Sequence, residues 1–182
     1  MTATARRSLF ALIGPLALGI GAHLATARAG EETGEVKLVP VKHADLLKAI
    51  AADKKPRLTM VDAWATWCGP CKENFPHVVA MHKKYAAKGL SVISLTLDDP
   101  SKPKEVAEAA AFLKSQKAAF ANYLLDETAD DAFEKLNITA IPAVFLFGPD
   151  GKEIRRFTLE DVNNQFTYDQ VEAFVQEYLA GK

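Results

Sequence analysis

The chain has 182 residues, 49% hydrophobic and 25% charged, a composition that excludes a disordered tail, a collagen-like chain and a multi-span membrane protein. Its 22 Lys and Arg residues and 23 Asp and Glu residues give a formal net charge of −1, so no basic excess is available to bind a polyphosphate backbone, and nucleic acid is not an expected partner. A length of 182 residues is typical of one domain that can bury its own core.

The N-terminal residues 1–29 predict a signal peptide. Two arginines precede residues 8–27, a stretch without Lys, Arg, Asp or Glu, and Ala27-Arg28-Ala29 fits a small-x-small cleavage site. The alternative is an uncleaved membrane anchor, because about 20 apolar residues can span a bilayer. In both cases we expect residues 30–182 to form an exported, periplasmic domain that meets the membrane only through the N-terminal segment.

The rest of the chain predicts strands that alternate with helices. The predicted strands cover residues 36–39, 58–64, 90–97, 122–125, 143–147 and 153–157, and the predicted helices cover residues 43–53, 69–88, 104–117, 129–136 and 168–179. Pro40 is expected to stop the first strand, and Pro76 to break the second helix, because an interior proline removes a hydrogen bond. Residues 148–151 (Gly-Pro-Asp-Gly) predict a hairpin between the last two strands. This order indicates an α/β fold with a central mixed sheet covered by helices on both faces.

Two cysteines, Cys68 and Cys71, lie where the second predicted strand meets the second predicted helix. A pair three positions apart cannot build a disulfide framework, so it is either a reactive dithiol or half of a metal site. Unpaired N–H groups and the dipole at a helix N-terminus stabilise a thiolate, and the pKa of the first thiol in such Cys-x-x-Cys turns falls from ~8.5 to between ~3.5 and ~7.5. Cys68 is therefore expected to be a nucleophile at neutral pH. Cys71 lies one turn further along the same helix face, close enough to form a disulfide.

The residues around this pair resemble a known family. The segment Val61-Asp62-Ala63-Trp64-Ala65-Thr66-Trp67-Cys68-Gly69-Pro70-Cys71-Lys72 is similar to the active-site segment of the thioredoxin superfamily. Ile141-Pro142, just before a strand, resembles the cis-proline loop of that family. The resemblance covers residues 36–180, and Asp98 to Asp126, after the third strand, is similar to the longer insertion of the exported TlpA- and ResA-like branch. It implies a thioredoxin fold with a helix and strand inserted there, and thiol–disulfide oxidoreductase activity without a cofactor.

The resemblance also implies a role for individual residues. Cys68 corresponds to the attacking thiol and Cys71 to the resolving thiol, so the two would form a redox-active disulfide. Asp62 falls where thioredoxins keep a buried carboxylate beneath the resolving cysteine, and burial would raise its pKa and fit it to take the Cys71 proton. The residues expected to contact the substrate are Trp67, Gly69, Pro70, Ile141 and Pro142.

Two positions depart from the family pattern. Thioredoxins pair the buried carboxylate with a lysine on the next strand, but this chain has Ser94 there, so Asp62 would lack a cation and its pKa could be higher still. The membrane-tethered branch often has a glutamate two residues before the helix-kinking proline, where this chain has Asn74. The adjacent Glu73 would point about 100° around the helix.

Other functions could also use a cysteine pair with this spacing. A copper(I) carrier could use Cys68, Cys71 and a distant histidine, because copper(I) favours thiolates. A redox-inactive scaffold could merely retain the fold. A structural zinc site needs about four ligands, and the sequence has no second cysteine pair, so we expect no metal. A peroxiredoxin-like peroxidase would have a threonine three residues before the reactive cysteine, where this chain has Ala65.

The residues between the cysteines suggest the direction of electron flow. Gly69-Pro70 is the dipeptide of reducing thioredoxins, whereas strong oxidants of this fold usually place a histidine there. We therefore expect a reductant of oxidised protein disulfides, for example during cytochrome c or copper-site maturation. A reductant outside the cytosol needs a supply of electrons, so a membrane electron-donor thiol protein is an expected partner.

Overall fold

The computed structural model describes residues 35–160, 163 and 165–181. The expected signal peptide or anchor, residues 1–29, lies outside the described residues, so that expectation remains a prediction. Within the described part of the chain, no helix is long and apolar enough to cross a membrane.

In the described residues, six strands form one mixed sheet. They are β1 (Val39–Val41), β2 (Leu58–Trp64), β3 (Leu90–Thr96), β4 (Ala121–Leu125), β5 (Ala143–Phe147) and β6 (Glu153–Phe157). The sheet order is β1-β4-β3-β2-β5-β6. The first four strands run parallel, β5 pairs antiparallel with β2, and β6 pairs antiparallel with β5. The mixed sheet expected from the sequence is confirmed.

Among the described residues, four α-helices connect strands and a fifth follows the last strand. They are α1 (His43–Ala52), α2 (Gly69–Tyr85), α3 (Pro103–Ser115), α4 (Ala129–Leu136) and α5 (Tyr168–Ala180). A short 3-10 turn extends α2 and ends at Gly89, where a φ of 102° requires the left-handed backbone that glycine adopts without strain. Every helix expected from the sequence is present, with ends that differ by a few residues.

Both expectations about interior prolines were wrong. Pro40 lies inside β1 and does not end it, because β1 is an edge strand that pairs only with β4, and an edge strand can leave one N–H position unpaired. Pro76 does not break α2, which continues from Gly69 to Tyr85. Phe75 and Val78 on either side of this proline are fully buried, and such packing stabilises a helix that has lost one hydrogen bond.

The predicted insertion after the third strand consists of α3 and β4. Strand β4 lies between β3 and β1, so the insertion widens the sheet. Helix α3 packs against α2 through Phe112, whose ring centroid lies 5.2 Å from that of Phe75. Both rings also pack against Trp64 at the end of β2. The insertion therefore supports the two elements that flank the cysteine pair.

Strand β2 lies between two apolar layers. All seven of its residues are buried, which explains its continuous apolar sequence. Its side chains alternate between the layers: Val61 and Ala63 join one cluster, and Leu58 and Met60 join the other. The first cluster includes side chains of α1 and α4, and the second includes side chains of α2 and α5. Asp62 is the one charged side chain that this strand places in the interior.

Candidate active site at the start of α2

The cysteine pair occupies the turn between β2 and α2. The Cys68 N–H donates to the Ala65 carbonyl at 3.1 Å, which closes this turn, and Cys68 is the N-cap residue of α2. The Cα atoms of Cys68 and Cys71 are 5.3 Å apart and the two sulfurs are bonded. Cys68 is 6% exposed and Cys71 is 1% exposed, so Cys68 is the more accessible to a partner.

The backbone at the start of α2 is directed at the Cys68 sulfur. The Cys71 N–H donates to Cys68 Sγ at 3.2 Å, so the sulfur occupies the place that an N-cap oxygen takes in other helices. When the pair is reduced, the same N–H and the positive end of the helix dipole stabilise a thiolate on Cys68. Pro70, in the first turn, has no N–H that would require an acceptor.

The loop before β5 brings a second backbone segment to the sulfur. The Ile141–Pro142 peptide bond is cis, as the family resemblance implied. Cys68 Sγ lies 3.7 Å from the Ile141 carbonyl oxygen. Ile141 and Pro142 are both buried, so the loop forms one wall beside the pair. Contact of these two residues with a substrate remains a prediction.

Three of the expected substrate-contact residues lie on the open side of the pair. Trp67 is 57% exposed, which is unusual for so large an apolar side chain, and Gly69 and Pro70 are also exposed. A Cβ atom added at Gly69 would meet nothing within 4 Å. The surface beside Cys68 is therefore apolar and open, and its contact with a substrate stays a prediction.

Asp62 is a buried carboxyl group in the middle of β2. It is 1% exposed and lies opposite Ser94 of β3 and Val144 of β5. Burial raises the pKa of Asp62 to about 7, and a hydrogen bond from the Tyr168 hydroxyl to Asp62 Oδ1, 2.6 Å long, partly opposes this rise. The direction agrees with the sequence expectation, and a group with this pKa can exchange a proton at neutral pH.

The partner of Asp62 is a residue that the sequence did not reveal. Ser94 stands beside Asp62 as expected, but its hydroxyl accepts a hydrogen bond from Trp64 Nε1 at 2.7 Å. The donor to Asp62 is Tyr168, the first residue of α5, and burial raises the pKa of this phenol well above its usual range. Tyr168 was expected only as the start of an apolar helix. A buried tyrosine hydroxyl requires a polar partner. This requirement is the one signal in the sequence that could have identified Tyr168 as a partner of a buried polar group.

Asp98 is a second missed residue, and it holds the loop before Cys68. Its carboxylate, 1% exposed, accepts hydrogen bonds from the Thr66 N–H at 3.1 Å and from the Thr66 hydroxyl at 2.5 Å. The Thr96 hydroxyl donates to the other carboxylate oxygen at 2.5 Å. Asp98 therefore joins the end of β3 to the turn that leads into the cysteine pair.

Asn74, the departure from the family pattern near the helix start, and the adjacent Glu73 both lie in the first turns of α2. Asn74 uses its side-chain amide to donate to the Pro70 carbonyl at 2.9 Å, which stabilises the first turn of α2. Glu73 is exposed. In the part of the chain that the structure describes, no group of three or more His, Cys, Asp or Glu side chains could hold a metal ion.

Comparison with known families identifies related proteins. The Redoxin family matches residues 42–178. The thiol-disulfide oxidoreductase ResA of Bacillus subtilis is 25% identical over 107 residues, which cover 59% of this chain and 56% of ResA. The sporulation thiol-disulfide oxidoreductase A of the same organism is 23% identical over 128 residues, covering 68% of this chain and 75% of that protein. The chain spans between 56% and 65% of the length of the first four ResA relatives.

Solved structures share the fold. A putative thiol:disulfide interchange protein DsbE from Chlorobium tepidum is 26% identical with a TM-score of 0.55, and the match covers 70% of this chain and 84% of that chain. StoA from Bacillus subtilis is 19% identical with a TM-score of 0.52, covering 68% of this chain and 85% of that chain. These similarities confirm the thioredoxin-like α/β fold and the resemblance to the TlpA- and ResA-like branch.

The raised pKa of Asp62 predicts a pH-dependent stability. Because an unfolded aspartate has a pKa of about 4, Asp62 is protonated to a greater extent in the folded chain than in the unfolded chain between about pH 4 and pH 7. The contribution of Asp62 to the free energy of unfolding therefore falls as the pH rises through this range, by about 4 kcal/mol. Asp62→Asn removes the ionisable group and with it this loss of stability at high pH. The oxidised variant should therefore have a higher free energy of unfolding than the oxidised parent at pH 8 and nearly the same free energy of unfolding at pH 4.

Chemical denaturation at pH 4, 6 and 8 measures this effect. Asp130→Asn is the control, because the Asp130 side chain is exposed and its replacement should change stability equally at pH 6 and pH 8. An Asp62→Asn variant with the same stability difference at all three pH values would contradict the prediction.

The hydrogen bonds of Asp98 predict that its carboxylate is needed for stability. Asp98→Asn keeps the size of the side chain but replaces an acceptor oxygen by a donor group, so at least one of the donors from Thr66 and Thr96 loses its partner. We expect the free energy of unfolding to fall by about 2 kcal/mol. Asp99→Asn, next in the chain and bound to the exposed Ser101, should cost much less. Equal losses in the two variants, measured by denaturant unfolding, would disprove this role of Asp98.

Proposed function

Because the chain belongs to the Redoxin family, we propose that it is a thiol–disulfide oxidoreductase that reduces disulfides in other proteins through Cys68 and Cys71. The observation that carries this proposal is the position of Cys68. Its sulfur is bonded to Cys71 and accepts the Cys71 N–H in the first turn of α2, and Cys68 is the more exposed residue of the pair. The similarity to relatives named thiol-disulfide oxidoreductases supports the same chemistry.

The reaction follows from the two sulfurs. The Cys68 thiolate attacks one sulfur of the partner's disulfide, the partner's S–S bond breaks, and a mixed disulfide forms while the other partner sulfur leaves as a thiolate. Cys71 then loses its proton and attacks Cys68. The Cys68–Cys71 bond forms, and the partner leaves with both of its sulfurs reduced. Two electrons pass from the pair to the partner, so an electron donor must reduce the pair again before the next cycle.

The direction and place of the reaction are proposed from the sequence. Gly69-Pro70 between the cysteines favours a reductant, and Pro70 provides no group that would stabilise the reduced thiolate further. The signal peptide predicted in residues 1–29 supports export to the periplasm. There the substrates would be oxidised disulfides of exported proteins, for example in cytochrome c or copper-site maturation, and a membrane thiol protein would supply electrons.

Insulin reduction by dithiothreitol tests the proposed activity. The protein should accelerate insulin precipitation over the reagent alone, and Cys68→Ser should abolish the acceleration because the attacking thiol is missing. Cys71→Ser should also lose turnover, but it should accumulate a mixed disulfide through Cys68 that mass spectrometry detects. A copper(I) carrier or an inactive scaffold would give no acceleration with the parent protein, and that result would overturn the proposal.

The reduction potential of the pair tests the proposed direction. Equilibration of the protein with thiol buffers of defined potential should give a value near the ~−270 mV of thioredoxin. Pro70→His is the matched variant, because a histidine between the cysteines stabilises the reduced thiolate and should make the pair more oxidising. A parent value near the ~−120 mV of a strong oxidant would reverse the proposed direction and leave the oxidoreductase activity standing.

A further inference from the structure

The hydrogen bond between Tyr168 and Asp62 connects the last helix to the strand before the cysteine pair. The two residues are 106 positions apart, both are buried, and the hydroxyl-to-carboxyl distance is 2.6 Å. Such a short bond inside the protein is stronger than the same bond in water, because surrounding water does not compete for either group. Tyr168 lies at the first position of α5, where the capping residue Thr167 fixes the start of the helix.

The other groups around Asp62 leave Tyr168 as its polar partner. Strand β3 presents Ser94, whose hydroxyl accepts from Trp64, and β5 presents Val144, which is apolar. Burial and the Tyr168 hydroxyl are the two influences on the pKa of Asp62 found in the described part of the chain. No lysine or arginine of those residues contributes to this pKa.

Two further titratable groups lie near the phenol ring. From α2, the exposed His77 stacks on the Tyr168 ring with 6.1 Å between ring centroids. From α5 itself, Glu172 lies one turn beyond Tyr168, and its carboxylate accepts hydrogen bonds from Lys84 and Tyr85. His77 therefore has to be tested separately, because its ring contacts the phenol directly.

We propose that Tyr168 is a positioning residue that holds the Asp62 carboxylate by one oxygen and thereby sets the pH range over which Cys71 releases a bound partner. This inference rests on the proposed function, because it concerns the second step of that reaction. The Tyr168 hydroxyl donates its hydrogen bond to Asp62, so Tyr168 acts on the cysteine pair through that carboxyl group.

The proposed step transfers one proton. Asp62, held through Oδ1 by the Tyr168 hydroxyl, accepts the Cys71 proton directly or through one water. The Cys71 thiolate then attacks Cys68, the bond between Cys68 and the partner breaks, and the partner leaves as a thiolate. The proton remains on Asp62 until solvent removes it. Only ionised Asp62 can begin this step, so the release rate follows the ionised fraction of this carboxyl group.

Removal of the Tyr168 hydroxyl predicts a shift in this pH dependence. The hydroxyl stabilises the ionised form of Asp62, so Tyr168→Phe should raise the pKa of Asp62 further above its usual range. We expect a rise of about one unit, which lowers the release rate about tenfold below neutral pH. At high pH, where Asp62 is ionised in both proteins, the two release rates should converge.

The experiment measures both the titration and the release. A carbon-13 NMR titration of oxidised protein labelled at aspartate carboxyl carbons reports the ionisation of Asp62, with Asp62→Asn identifying its signal. In parallel, a mixed disulfide between Cys68 and a short cysteine peptide is prepared on Cys71-blocked protein, the block is removed by light, and peptide release is followed from pH 5 to pH 9. The double variant Asp62→Asn/Tyr168→Phe should show the same release profile as Asp62→Asn alone.

Matched variants separate positioning from folding. Tyr178→Phe removes another tyrosine hydroxyl of α5 and should leave both the Asp62 titration and the pH profile of peptide release unchanged. His77→Gln should also leave both unchanged. Tyr168→Met removes the hydroxyl with a different apolar side chain and should reproduce the shift of Tyr168→Phe. Thermal unfolding confirms that each variant is folded at the temperature of the measurement.

The results test the role of Tyr168 separately from the proposed oxidoreductase function. An unchanged Asp62 titration in both Tyr168 variants would overturn the inference, as would a shifted titration with an unchanged release profile. A Tyr168 effect on release that persists in the Asp62→Asn background would also overturn it. Because the mixed disulfide is prepared chemically, these measurements remain decisive even for a protein that does not reduce insulin, a failure that would count only against the proposed function.

Discussion

The complete burial of β2 determines both the geometry and the electrostatics of the site. The strand is paired on both sides, by β3 and β5, and the Trp64 carbonyl accepts the Leu97 N–H at 2.8 Å beyond the end of the ladder. The point where β2 ends is therefore fixed, and so is the place where α2 begins. That placement brings the Cys71 N–H to the Cys68 sulfur. The same burial removes water from Asp62 and raises the pKa of its carboxyl group to about 7.

Features that depend on neighbouring residues could be predicted from the sequence. The continuous apolar run of β2 indicated a strand buried on both faces, and the cysteine spacing indicated a dithiol at a helix start. The Gly-Pro-Asp-Gly turn indicated the hairpin of β5 and β6. The family resemblance added the cis bond before Pro142, which no local pattern specifies, and identified the helix and strand predicted after the third strand as an insertion. Both are present in the structure.

Features that depend on distant residues could not be predicted in the same way. The bond between Tyr168 and Asp62 joins positions 106 residues apart, and that between Asp98 and Thr66 joins positions 32 apart. Neither pair shares a helix or a strand register, so no spacing rule connects them. The error at Pro40 has a similar origin, because a proline ends a central strand but is tolerated at a sheet edge, and the edge is known only once the strand order is known.

The two buried carboxyl groups near the site differ in the number of hydrogen-bond donors around them. Both oxygens of Asp98 accept hydrogen bonds, from the backbone and hydroxyl of Thr66 and from Thr96. Asp62 receives one hydrogen bond in the described part of the chain, to Oδ1. A carboxylate with donors at both oxygens is fixed in place and holds a loop. A carboxylate with one donor keeps a position at which a proton can bind.

This difference assigns separate tasks to two acidic residues, one within β2 and one beyond the end of the neighbouring strand β3. Asp98, two residues beyond the end of β3, fixes the backbone that leads to Cys68 through its hydrogen bonds to Thr66. Asp62, within β2, has a pKa of about 7, at which a small change in its surroundings alters its charge at neutral pH. The fold therefore keeps the rigid support and the exchangeable proton on different residues, and the Tyr168 hydroxyl is the group through which α5 adjusts the second of them.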